Sequence, residues 1–223
     1  MTQDTDLSRV IPLIVHGDDA ECHRRRSFLI LSYASVLVGR CAVWDNRFLV
    51  YCLDNHVACN ETVDGLDYWA AWSFTELQHG RWLEHGPQGQ ELPHRKGMEG
   101  KPIAGGYRAV ICFFRGDEKY TQKSFHTKVA WNSEQICWRC KASRVHGSDL
   151  LYTHFGPGAK HRQTMLCMSD FLTTACKPSA WIRVPGFDPA MLHFDWLHVV
   201  DLTLVPEASA TDPWLWGDNQ FVF

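Results

Sequence analysis

The chain has 223 residues, 45% hydrophobic and 21% charged, an ordinary globular balance in which the chain need not be disordered and which permits one domain, or one domain plus an insertion. Its formal net charge of -3 excludes a global basic attraction, so any nucleic-acid contact has to come from a local patch. No run approaches the roughly 20 apolar residues of a membrane-spanning helix, and nine cysteines without a leader read as thiols of a reducing, intracellular setting.

Val10 to Val15 is β-branched and apolar and predicts a strand that stops at His16-Gly17-Asp18-Asp19, followed by the basic run His23-Arg24-Arg25-Arg26. Phe28 to Val38 and Phe48 to Leu53 predict two further strands, joined through Trp44-Asp45-Asn46-Arg47, where Asp-Asn suits a hairpin turn. The period then changes. Leu66, Trp69, Ala70, Ser73 and Leu77 fall at helical spacing and predict a helix over Gly65 to His79, with Asp64 as a capping side chain. Gly86 to Gly106 is rich in Gly, Pro, Gln and charge and predicts an exposed connection.

Tyr107 to Phe114 predicts a fourth strand, ending at Gly116-Asp117, and a short helix starts at Glu118. Beyond it come the pair Cys137 and Cys140, a Gly-Pro-Gly loop at Gly156 to Gly158, a helix from Gln163 to Ala175 and a tail after Pro206 without period. Three strands, a helix, a fourth strand and an α-rich remainder favour an α/β fold with a mixed sheet flanked by helices. The expected divisions are a core at 1–128, a cysteine- and histidine-containing α-rich insertion at 129–205 and an irregular tail at 206–223.

Asp18 and Asp117 share a context, each directly after a glycine at the end of an apolar run. If the two strands are neighbours, both carboxylates meet at one edge of the sheet and repel unless a cation lies between them. Mg²⁺ or Mn²⁺, hard ions with oxygen ligands, would resolve that conflict, and two such ions about 4 Å apart would serve phosphodiester displacement. Turn chemistry alone also accounts for Gly-Asp after a strand, because Gly admits positive φ and Asp bonds its local backbone.

At this point four blocks in order carry a resemblance: Ile11-Pro12-Leu13 through His16-Gly17-Asp18 and Arg24-Arg25-Arg26-Ser27; Ala104-Gly105-Gly106-Tyr107 leading to Gly116-Asp117; Ile136-Cys137-Trp138-Arg139-Cys140; and Asp195-Trp196-Leu197-His198-Val199-Val200-Asp201-Leu202. Together they cover about Val10 to Leu204 and resemble the catalytic domain of eukaryotic proteins derived from DDE-type transposases. The resemblance implies an RNase H-like fold with its first Asp on the first strand and its second just after the fourth, the places of Asp18 and Asp117. It further implies a Cys-x-x-Cys block and an Asp-x-x-His block, DNA as partner and the nucleus as compartment. The family's third acid, on a helix well beyond the Asp-x-x-His block, has no counterpart: Glu207 is the only downstream Glu and follows Pro206 without helical pattern. A truncated core is the expectation.

Cys137 and Cys140 have the spacing by which two thiolates share one Zn²⁺. Completing a structural tetrahedron requires two more ligands, with His198 the first candidate and His146, His154, His193 and Cys167 the others; unliganded thiols are the alternative. Asp195, three residues before His198, reads as a supporting group beside that site or as a helix cap. Arg24, Arg25 and Arg26 could hold nucleic-acid phosphates beside the carboxylates, and Lys119, Lys123 and Lys128 could extend that patch; a solvated loop is the plain alternative. Two rival functions stand beside the nuclease. Gly17-Asp18-Asp19 is similar to the metal motif of viral RNA-dependent polymerases, with too few residues upstream for the rest of that fold. The other rival is a zinc-braced module, derived from a transposase, that binds nucleic acid or protein without catalysis.

Overall fold

In the computed structural model the described residues are 6–21, 26–38, 43–130 and 132–194. They open with β1 (Val10–Glu21), β2 (Ser27–Ser35), a one-turn helix α1 (Val43–Asn46) and β3 (Arg47–Asp54). Then come α2 (Asn60–His79), β4 (Arg108–Gly116), α3 (Glu118–Phe125), α4 (Met168–Thr174) and β5 (Leu192–Phe194). Residues Met1–His193 form one compact unit and Phe194–Phe223 a second; the structure below is that of the first. Asp195, His198 and Glu207 lie outside the described residues, as do Arg24 and Arg25.

The sheet runs β3-β2-β1-β4-β5. β2 is antiparallel to both β1 and β3, whereas β1 and β4 are parallel. Parallel neighbours require a crossover, which α2 and the segment after it supply between β3 and β4. Strand alternation then sorts the side chains. Leu13, Val15, Leu29, Leu31, Ile111 and Phe114 are buried on the face that receives α2 and α3. α2 answers with Val63, Asp67, Ala70, Ala71 and Phe74, at spacings that put them on one helical face. Phe74, Phe114 and Phe125 meet Trp181 and Phe187 of the C-terminal segment, so that segment contributes to the same core.

The four main strands and the Glu118 helix stand where the sequence predicts them, with altered ends. β1 does not stop at His16 but continues to Glu21, because Gly17, Asp18 and Asp19 pair with Leu31, Ile30 and Leu29 of β2. β2 ends at Ser35 rather than Val38, and the expected hairpin turn before β3 is the single turn α1. α2 starts at Asn60, five residues before the predicted start. Asp64 is therefore inside it, paired with His126 and Lys177 rather than capping. At the other end Gly80 takes φ 68°, and its N–H closes on Glu76 O and Leu77 O.

Among the described residues the remainder is not α-rich. Of those after Phe125 only the seven of α4 are α-helical; the rest are short 3-10 turns, loops, isolated bridges and the three-residue β5. The helix predicted from Gln163 is shortened because residues 164–166 are tied elsewhere: Thr164 Oγ1 accepts from Lys141 N, and Leu166 N–H donates to Arg139 O. The connection after α2 is exposed as predicted but braced. Arg95 inserts between the rings of Trp72 and Trp82, 4.9 and 4.6 Å from their centroids, and pairs with buried Glu76 at 2.6 Å. Among the described residues no helix is long and apolar enough to cross a membrane.

Candidate functional site

The register of β1 and β4 places the two carboxylate positions side by side. His16 is paired with Arg115 and Gly17 with Gly116, so Asp18 and Asp117 are the next residues on neighbouring strands, which in a sheet lie about 4.8 Å apart. Asp18 is inside β1, opposite Ile30 of β2, while Asp117 follows the last residue of β4. Asp117 caps α3: its Oδ1 accepts from Tyr120 N at 2.6 Å.

Neither glycine adopts positive φ, so turn conformation does not explain them. Close approach does. The buried Tyr120 ring lies against both strands, and a Cβ at Gly17 would come within 2.5 Å of Tyr120 Cγ and nearer still to Cδ2 and Cε2. A Cβ at Gly116 would overlap the same ring and stand 2.5 Å from Gly17 O. Tyr120 belongs to the helix that Asp117 caps, so one side chain holds the two Gly-Asp steps and the first turn of α3 together.

Asp19 is separated from this pair. Consecutive strand residues face opposite sides, and Asp19 lies on the helix-covered side with 8% of its side chain exposed. There its Oδ1 accepts from Asn55 Nδ2 at 2.6 Å and its Oδ2 lies 3.4 Å from Lys123 Nζ; Asn55 also donates to Ser27 Oγ. Asp18 shares the other face with His16, and with Arg115 by register. His16 and Arg115 therefore join the candidate site, which the sequence did not single out; the signal was their position two residues before each Asp. The predicted basic patch divides. Arg26 leans toward Asp54 at 3.8 Å, and Lys123 is committed to the Asp19 network.

Cys137 and Cys140 form a tight knuckle, in which Arg139 N–H donates to Cys137 Sγ at 3.4 Å. Burial, followed by the neighbouring Cys137, pushes the Cys140 thiol up to about 11. The paired thiols supply two soft donors, as a zinc knuckle would. Among the described residues, however, no group of three His, Cys, Asp or Glu is arranged to hold a metal ion. Of the other sulfur and nitrogen candidates, Cys167 engages Asp170 at 3.1 Å and caps α4, while His193 stacks edge-on against Phe113.

A second polar locus, absent from the sequence reading, lies where α2 meets the residues after α3. A cleft of about 310 Å³ is lined by Asp64, Asp67, Ser124, His126, Lys177 and Arg183, among others. His126 Nε2 is 3.0 Å from Asp64 Oδ1, and burial lowers its pKa more than Asp64 restores it. Asp67 is almost wholly buried and accepts from Tyr51 O–H at 2.8 Å. Its desolvation outweighs that bond and raises its pKa from 3.8 to about 6. No family, curated protein or solved structure matches the chain.

Proposed function

We propose that the chain is an RNase H-like nuclease core of the DDE-transposase type, acting on DNA phosphodiesters with Asp18 and Asp117 as ligands of Mg²⁺ or Mn²⁺. One observation carries the reading: the two Gly-Asp steps, 99 residues apart in the sequence, are adjacent in register on parallel strands. The sheet order, with the first Asp on β1 and the second directly after β4, supports the fold that the resemblance implies. The donor chemistry also supports it, because two carboxylates at neighbouring positions of adjacent strands are hard oxygen ligands whose mutual repulsion a divalent cation relieves. Such an ion, when bound, would polarise a phosphodiester and stabilise the charge that develops on its oxygens.

The chain's own residues have definable parts in this reading. Asp117 is held in place by its cap bond to Tyr120 N, and Asp18 by its pairing with Ile30 of β2. Arg115, two positions before Asp117, brings a guanidinium to the same end of the sheet for a phosphate, with Arg24, Arg25 and Arg26 as further backbone contacts. The nucleus as compartment belongs to the same reading.

The test is cleavage of end-labelled single- and double-stranded DNA with Mg²⁺ or Mn²⁺. Cleavage by the wild-type chain that Asp18→Asn abolishes, with DNA binding retained, is the expected result. Cleavage that survives Asp18→Asn refutes the assignment. A second reading is a zinc-braced binding module without catalysis, which the paired thiols of the Cys137–Cys140 knuckle favour. DNA binding without cleavage, together with one zinc per chain that is lost in Cys137→Ser, is its signature.

A further inference from the structure

We infer that the free edge of β3 is a self-association surface, on which a second copy of this chain adds its own β3 antiparallel and extends the sheet across a two-fold axis. Among the described residues β3 is the terminal strand of the sheet, paired only with β2. Its outer row of N–H and C=O groups therefore faces away from the sheet. The apolar side chains there are unusually bare: Phe48 is 54% exposed, Leu49 64% and Val50 36%. Leu37, in the turn that ends β2, is 70% exposed. Such an edge carries none of the lysines or prolines that commonly block pairing.

The strand itself favours a second copy as occupant. Arg47 begins it and Asp54 ends it. Antiparallel pairing of two identical strands about the midpoint between Val50 and Tyr51 sets Arg47 against Asp54 of the second copy, and Asp54 against its Arg47. A two-fold interface requires this self-complementarity, and opposite charges in direct cross-strand pairs are favourable. The same register also matches faces. Asp54, Cys52, Leu49 and Arg47 pair with Phe28, Ile30, Ser32 and Ala34 of β2, so all four lie on one face. Leu53, Tyr51 and Phe48 lie on the other, and the register shift leaves Val50 as the bulged residue. Leu49 then opposes Cys52 of the second copy and Phe48 opposes its Leu53, each pair sharing a face. Sliding the copy by one residue opposes mismatched faces. Sliding it by two carries Arg47 or Asp54 past the end of the facing strand.

Two experiments on the full chain decide the matter. Sedimentation equilibrium should show a concentration-dependent dimer for the wild type. Leu49→Lys should sediment as a monomer with an unchanged circular dichroism spectrum, since this side chain is mostly in solvent. Leu49→Cys sets a new thiol opposite the exposed Cys52 of the second copy. Mild oxidation should therefore give a covalent dimer that reductant reverses and that is lost in the Leu49→Cys/Cys52→Ser double variant. Within one chain, positions 49 and 52 are roughly 10 Å apart along an extended strand, too far for a disulfide. A wild type that stays monomeric, a Leu49→Lys dimer, or a covalent dimer that persists without Cys52 overturns the inference.

Discussion

The contact between Tyr120 and the paired glycines makes a quantitative prediction about the candidate site. Gly17→Ala introduces a methyl group 2.5 Å or less from three ring carbons, where ordinary carbon contacts are about 3.5–4.0 Å. The ring has nowhere to move, because Tyr120 is 1% exposed and packs edge-on against Phe125. Overpacking of this kind costs about 3 kcal/mol, which for a chain of this size lowers the melting temperature by about 6–12 °C. Tyr120→Ala on its own should cost about 3–5 kcal/mol through the cavity it leaves. Combined with Gly17→Ala it should cost about 2–3 kcal/mol less than the two changes added, since the methyl group then occupies part of the vacated space. Gly116→Ala behaves differently. Its Cβ also meets Gly17 O at 2.5 Å, and removing the ring does not clear a backbone atom, so Tyr120→Ala should rescue it far less. Urea denaturation of the six proteins, wild type included, measures the cycle. A Gly17→Ala variant within about 0.5 kcal/mol of wild type, or equal rescue at the two glycines, would refute the packing argument.

Asp67 predicts a pH dependence. Its folded pKa of about 6 lies above the value of 3.8 expected in the unfolded chain, so the folded state holds the extra proton between those two pH values. Stability is therefore greatest below pH 3.8 as far as this group is concerned, falls as pH rises through the window and levels off above about 6, a loss of about 3 kcal/mol. Asp67→Asn, which keeps an oxygen acceptor for Tyr51, should flatten the slope between pH 4 and 6 and raise stability at pH 7; urea midpoints across that range check it. Arg95→Ala should destabilise by about 3 kcal/mol, because it strands the buried Glu76 carboxylate and removes the cation between two indoles. Arg95→Lys should not restore it, since an ammonium lacks the planar fork and stacking surface. Thermal melts and faster proteolysis within residues 81–106 are the readouts.

The sheet was legible because its strands carry their own pattern. Apolar runs at Val10, Phe28, Phe48 and Tyr107 announce four strands, and helical spacing from Leu66 to Leu77 announces α2. What the sequence hid is set by partners distant in the chain. β1 extends past the polar Gly17-Asp18-Asp19 because β2 is there to pair with it, a fact that no local propensity encodes. α4 is short because Thr164 and Leu166 are tethered to the cysteine knuckle. The Asp64–His126–Lys177 group and buried Asp67 escaped notice because their partners lie 16 to 113 residues away without any motif. At the candidate site the repeated Gly-Asp step was visible and its meaning was not. The glycines read as turn residues, whereas they are extended residues that make room for Tyr120.

That distinction decides what the two consecutive acids can do. On a turn, Asp18 and Asp19 could aim at one ion, as the likeness to a polymerase motif suggests. On a strand they cannot, because alternation sends them to opposite faces. Asp19 is already satisfied under α3 by Asn55 and Lys123, where it ties the end of β1 to the helix that Asp117 caps. A second carboxylate for any cation at Asp18 has to come from a neighbouring strand, and the parallel register offers Asp117. Asp19→Asn should accordingly lower stability through the Lys123 contact and leave divalent-ion affinity at Asp18 nearly unchanged, whereas Asp117→Asn should weaken it. Calorimetric titration with Mn²⁺ separates the two, and equal losses of affinity would mean that the strand does not keep the acids apart.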